Sequence, residues 1–90
     1  MTLSRDLQII NKRGLHARAS AKFVQTVEAY DADIHVTKDG MTVGGLSIMG
    51  LMMLAASTGS SITVTASGSQ AAEALDALDA LVRDRFGEES

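Results

Sequence analysis

Asp33-Ile34-His35-Val36-Thr37-Lys38-Asp39-Gly40-Met41-Thr42-Val43-Gly44 is the stretch whose reading decides the fold. Ile34 and Val36 alternate with Asp33, His35 and Thr37, a period of two that gathers apolar side chains on one face of a strand. Asp39-Gly40 follows, a dipeptide suited to the positive φ angles of a type I′ turn, and Met41 and Val43 resume the alternation. The stretch predicts a hairpin with one buried and one polar face. Such strands need cover on one side only. His35, out of phase with Ile34 and Val36, is expected to face solvent.

Working outward, Leu3, Leu7 and Ile9 alternate with Ser4, Asp6 and Gln8, and Ile62, Val64 and Ala66 alternate on a later strand. Between the strands the period changes. Phe23, Val24, Val27 and Tyr30 recur at helical spacing and predict a helix from about Ala17 to Tyr30. Ser47 is placed to cap a short helix reaching about Ala56, and Ser69 to cap a last one. Leu75, Leu78, Val82 and Phe86 form the stripe of that last helix, with Asp79 and Arg83 as an i,i+4 pair and Gly87 at its end. The order βαββαβα predicts an α+β open-faced sandwich, three helices on one face of a four-stranded sheet.

Ninety residues suit a single domain spanning 1–90, and a 46% apolar content supports a core built on aliphatic side chains. The net charge of −3, without clustered aromatics, argues against a small nucleic-acid-binding α/β module. No cysteine is present, which excludes disulfides and thiolate metal sites. Two histidines, His16 and His35, make a metal site improbable on sequence grounds, and no cofactor is expected. The start of the chain lacks the apolar run of a secretory signal, and Ile48 to Ala56 is too short to span a bilayer. A cytoplasmic location is expected.

Chemistry concentrates in Asn11-Lys12-Arg13-Gly14-Leu15-His16-Ala17-Arg18-Ala19-Ser20. A histidine here follows a glycine turn and opens a helical run. Backbone N–H groups at a helix start lack intrahelical partners and favour anions such as phosphate. Arg18 adds a permanent cation suited to phosphate oxygens. A nucleophile inside an anion site is what a transient phosphohistidine requires. Ile48, Met49 and Met52 form a separate stripe near the start of the second helix, and methionine suits surfaces that must fit several partners. Leu51 and Leu54 read as core, and Asp76, Asp79, Glu88 and Glu89 as a solvated helix face and tail.

The segment around His16, with Gly45-Leu46-Ser47-Ile48-Met49-Gly50-Leu51-Met52 downstream, resembles the HPr family of histidine phosphocarriers in the phosphoenolpyruvate-dependent sugar phosphotransferase system. That resemblance implies an antiparallel sheet and a carrier rather than an enzyme. It implies that His16 is phosphorylated on Nδ1 by enzyme I and donates to enzyme IIA domains, with Arg18 stabilising the phosphate. It places Ala17, Ser20, Leu46, Ile48, Met49 and Met52 on the partner surface and makes Ser47 a regulatory site for an HPr kinase/phosphorylase. Leu46 stands where many kinase substrates of the family are basic, and Ala19 where many members have proline. A monomer is expected. The nitrogen-related regulatory branch of the family is the alternative within the same class.

Overall fold

Turn chemistry and alternation set the sheet. The structure, a computed structural model, describes residues 2–89; Met1 and Ser90, the ends of the expected 1–90 domain, lie outside the described residues. Strands β1 (Thr2–Gln8), β2 (Asp33–Lys38), β3 (Met41–Gly44) and β4 (Ser61–Ser67) form an antiparallel sheet in the order β1-β4-β2-β3. Asp39 and Gly40 take φ of 51° and 82°, as a type I′ turn needs, and pair Val36 with Val43. Leu7 lies beside Ile62 and Val36 beside Val64, which lines up the apolar rows on one face. On the other face Asp6, Thr63, Thr37 and Thr42 form a polar row, with Thr63 Oγ1 donating to Asp6 Oδ1 at 2.7 Å. His35 sits on this open face and is exposed, as its phase requires.

Helices α1 (Ala17–Glu28), α2 (Ile48–Met53) and α3 (Ala71–Arg83) cover the apolar face, and a 3-10 turn, Arg85–Gly87, follows α3. Phe23, Leu51, Val64, Leu75, Leu78 and Phe86 are buried between helices and sheet. Burial of side chains this size is worth about 1.5–3 kcal/mol each, and so it holds the two layers together. Leu51 and Leu54 are core, as their spacing implies.

Helix ends depart from the sequence reading. α1 stops at Glu28, because Ala29 and Tyr30 donate instead to Thr26 and Val27 carbonyls, both at 3.2 Å, in a tightened turn. α2 stops at Met53, since Ala55 turns to φ 52° and breaks the helix short of Ala56. Ser69 does not cap α3. Its hydroxyl donates to the Asp31 carboxylate, and Gln70 takes the cap position with its Oε1 accepting from the Asp31 N–H at 2.7 Å. Phe86 is not part of α3 either: Arg85 and Phe86, both at φ 54°, fold the chain back and bury the ring. The expected Asp79–Arg83 pair forms at 2.9 Å, but Asp79 is not simply solvated, because Arg5 Nη1 reaches it at 3.3 Å and Asp76 at 2.9 Å.

A left-handed backbone costs a non-glycine residue about 1–2 kcal/mol. Ala55→Gly should therefore stabilise the protein, by about 1 kcal/mol once the extra freedom of glycine in the unfolded chain is subtracted. Urea denaturation checks this: the midpoint should rise, and an unchanged or lower midpoint would count against strain at Ala55.

Candidate functional site

Gly14 decides where His16 stands. Its φ is 66°, and a Cβ there would lie 2.4 Å from the Ala56 carbonyl oxygen, so the chain can approach this closely only without a side chain. Asn11 to Gly14 form a turn closed by the Gly14 N–H and Asn11 carbonyl at 3.2 Å. The buried Leu15 then donates its N–H to Ala56 at 3.0 Å. These contacts tie the approach to His16 against the end of α2.

His16 is the N-cap of α1, with extended backbone and no side-chain capping bond. Its carbonyl accepts from the Ser20 N–H at 2.9 Å, and the N–H groups of Ala17 and Arg18 are left without helical acceptors at the positive end of the dipole. Ala17 and Arg18 are exposed, and the Arg18 guanidinium has no ion pair among the described residues. Ser20 does not join this surface. It is fully buried, its hydroxyl donating to the Leu15 carbonyl at 3.2 Å, so the expectation of a partner contact there is corrected.

The imidazole meets a carboxylate. His16 Nε2 lies 2.5 Å from Glu88 Oε2, and Glu88 Oε1 accepts from Asn11 Nδ2 at 3.2 Å. The same Asn11 nitrogen donates to the Gly14 carbonyl at 2.9 Å. Burial pushes the Glu88 carboxyl up, but hydrogen bonds from His16 and Asn11 and the field of His16 and Arg13 outweigh it and hold the group below its ordinary range. An ionised carboxylate only accepts, so Nε2 carries the hydrogen, and in the neutral imidazole this arrangement leaves the lone pair on Nδ1. Glu88 is therefore not a solvated tail residue: only 17% of its side chain is exposed.

Asn11 and Glu88 are the residues that sequence reasoning missed. Asn-x-x-Gly is a turn signature that could have drawn attention to Asn11. Nothing local could have brought Glu88 to a histidine 72 positions away. Beside the ring lies a hollow of about 230 Å³ lined by Arg13, Leu15, His16, Ala55, Ala56 and Ser57. It offers space next to the imidazole, with the Arg13 cation in its lining.

α2 presents the apolar face read from its spacing. Exposure runs from 40% at Ile48 through 42% at Met52 and 63% at Leu46 to 72% at Met49, and Met53, not foreseen as surface, is 63% exposed. Ser47 is exposed and caps the helix, its Oγ accepting from the Gly50 N–H at 2.9 Å.

A histidine at an open helix start, with an arginine two residues on and a regular apolar surface nearby, defines a phosphocarrier of the open-faced sandwich class. The chain belongs to the HPr family, matching the model described as "PTS HPr component phosphorylation site" over residues 3–84. It is 50% identical over 86 residues to the phosphocarrier protein HPr of Cupriavidus necator, covering 96% of this chain and 97% of that protein. It is 40% identical over 88 residues to the phosphocarrier protein NPr of Shewanella violacea, covering 98% and 97%. The crystal structure of an HPr from Thermoanaerobacter tengcongensis superposes with a TM-score of 0.92 at 42% identity, covering 98% of this chain and 99% of that one. The phosphocarrier function and the antiparallel sheet inferred from the sequence both stand.

The depressed Glu88 carboxyl makes stability depend on pH. A group whose pKa falls on folding stabilises the protein above its unfolded value, here ordinarily 4.5, and that contribution is lost as pH falls through the lowered folded value. Glu88→Gln should thus be less stable than the parent above about pH 5, with the gap closing on further acidification. Melting temperatures of both proteins across this range measure it. A gap independent of pH would show that the carboxylate charge is not what holds His16.

Proposed function

We propose that His16 Nδ1 accepts a phosphoryl group from phosphorylated enzyme I and passes it to enzyme IIA domains. The observation that carries this reading is the ring's fixed orientation: Nε2 is held by Glu88 at 2.5 Å while the histidine caps α1. The Nδ1 lone pair forms a bond to phosphorus as the bond from phosphorus to the donor breaks. The same exchange runs again, with His16 as donor, on the acceptor protein. Phosphoryl transfer depends on positioning and charge stabilisation, so few groups are needed. Here they are the imidazole, the unpaired guanidinium of Arg18 and the free N–H groups of Ala17 and Arg18.

Ser47 is the proposed target of an HPr kinase/phosphorylase. Its hydroxyl is exposed at a helix start, where a phosphate is electrostatically tolerated and adds charge to the surface rather than to the core. The two sites separate in one experiment, read by intact mass after incubation with phosphoenolpyruvate and enzyme I, or with ATP and the kinase. His16→Ala should lose the enzyme I-dependent phosphoryl group, and Ser47→Ala should keep it. With the kinase the pattern should reverse. Enzyme I labelling of His16→Ala would overturn the assignment of His16.

The partner surface is assigned to Ala17, Leu46, Ile48, Met49 and Met52, with Met53 added by its exposure. An apolar centre with the Arg18 cation at its edge suits transient docking, in which a few anchors supply most of the affinity. Met49→Asp should slow both phosphorylation by enzyme I and donation to enzyme IIA by at least about fivefold, the loss expected of an anchor. Because Met49 is exposed, stability should change by less than about 0.5 kcal/mol. Rapid-quench transfer assays and a melting curve test both halves, and unchanged rates would remove Met49 from the docking surface.

A further inference from the structure

A second hollow, of about 400 Å³, opens between the chain that follows β1, the turn at Thr58 and the chain after α3. Ile10, Lys12, Thr58, Arg85 and Glu89 line it. His16 and Arg18 do not. Neither Lys12 nor Arg85 is paired with a carboxylate among the described residues. The Arg85 guanidinium donates to the Glu89 carbonyl at 3.2 Å, and Arg85 is one of the two left-handed residues that fold the chain back toward this hollow. A strained backbone of this kind is retained where the surrounding structure over-determines it, and such residues cluster at ligand clamps.

We propose that this hollow binds a small phosphorylated polyol. Two lining cations that form no ion pair among the described residues suit the phosphoryl oxygens. The Thr58 hydroxyl and the Glu89 carboxylate are hydrogen-bonding partners for alcohol groups, and the carboxylate disfavours a ligand that is anionic along its whole length. Ile10, 44% exposed, supplies an apolar wall for the carbon chain. The volume lies in the range that takes small organic molecules, well beyond what a bare phosphate fills. The site is separate from His16 and does not depend on the phosphocarrier reading of that residue.

An amide-resolved NMR titration of the full chain tests it, with glucose 6-phosphate as the probe and glucose and inorganic phosphate in parallel. Glucose 6-phosphate should shift Ile10, Lys12, Thr58, Arg85 and Glu89 saturably, glucose should not, and inorganic phosphate should bind there more weakly. Lys12→Gln combined with Arg85→Asn, asparagine being tolerant of the left-handed backbone, should weaken binding at least about tenfold, the loss expected for charge-assisted hydrogen bonds. Lys12→Gln alone leaves the Arg85 backbone untouched and should weaken binding at least about fivefold even if the double variant folds poorly. No saturable shift at these residues, shifts centred only on Ala17 and Arg18, or unchanged affinity in Lys12→Gln would each overturn the proposal.

Discussion

The contact between Gly14 and Ala56 is the constraint on which the rest of the site depends. With no Cβ in the way, the loop before α1 lies against the chain leaving α2, and the Leu15 N–H locks it to the Ala56 carbonyl at 3.0 Å. One side of that contact carries His16 and Arg18. The other carries Ser47, Met49 and Met52. The imidazole and the exposed apolar face of α2 are thus held in fixed relation by backbone atoms, where side-chain rotation cannot disturb them. A larger residue at position 14 would separate the two surfaces before it touched the imidazole.

A second tie comes from the far end of the chain. Phe86 is fully buried, and Lys22 Nζ donates to its carbonyl at 2.6 Å, so the turn after α3 is anchored to both core and α1. Glu88 follows two residues later and is delivered to His16 and Asn11. The strain at Arg85 and Phe86 is offset by the burial of the aromatic ring, worth about 1.5–3 kcal/mol. Glu88 holds the imidazole through Nε2, so the carboxylate and Nδ1 occupy different edges of one ring.

The sheet was legible because its signals are local. Period-two alternation and the Asp39-Gly40 turn needed no knowledge of distant residues, and the exposure of Met49 followed from there being too many apolar residues on one short helix for a single buried face. Ser20 was misread although the information was present. Phe23, Val24 and Val27 are buried on α1, and carrying their phase back three or four residues lands Ser20 on the same buried side. The shortened α2 was harder, because nothing in Ala55 announces a left-handed backbone that is usually taken by glycine. Glu88 was beyond reach: its role exists only once a turn built on Phe86 packing has formed.

The strand order has a consequence for how the chain is made. β1 leaves the ribosome well before β4, yet among the described residues its one neighbour in the sheet is β4, with Thr2 set beside Ser67. The β2–β3 hairpin can close early, but β1 must wait until β4 has been synthesised. Sequence-distant pairings of this kind slow folding, since loop-closure entropy is lost before any contact compensates it. During that wait Leu7 and Ile9 have no layer to enter. Alternating Ser4, Asp6 and Gln8 keep the nascent segment from becoming a continuous apolar run, so the polar face of this edge strand protects the newborn chain before it serves the folded one.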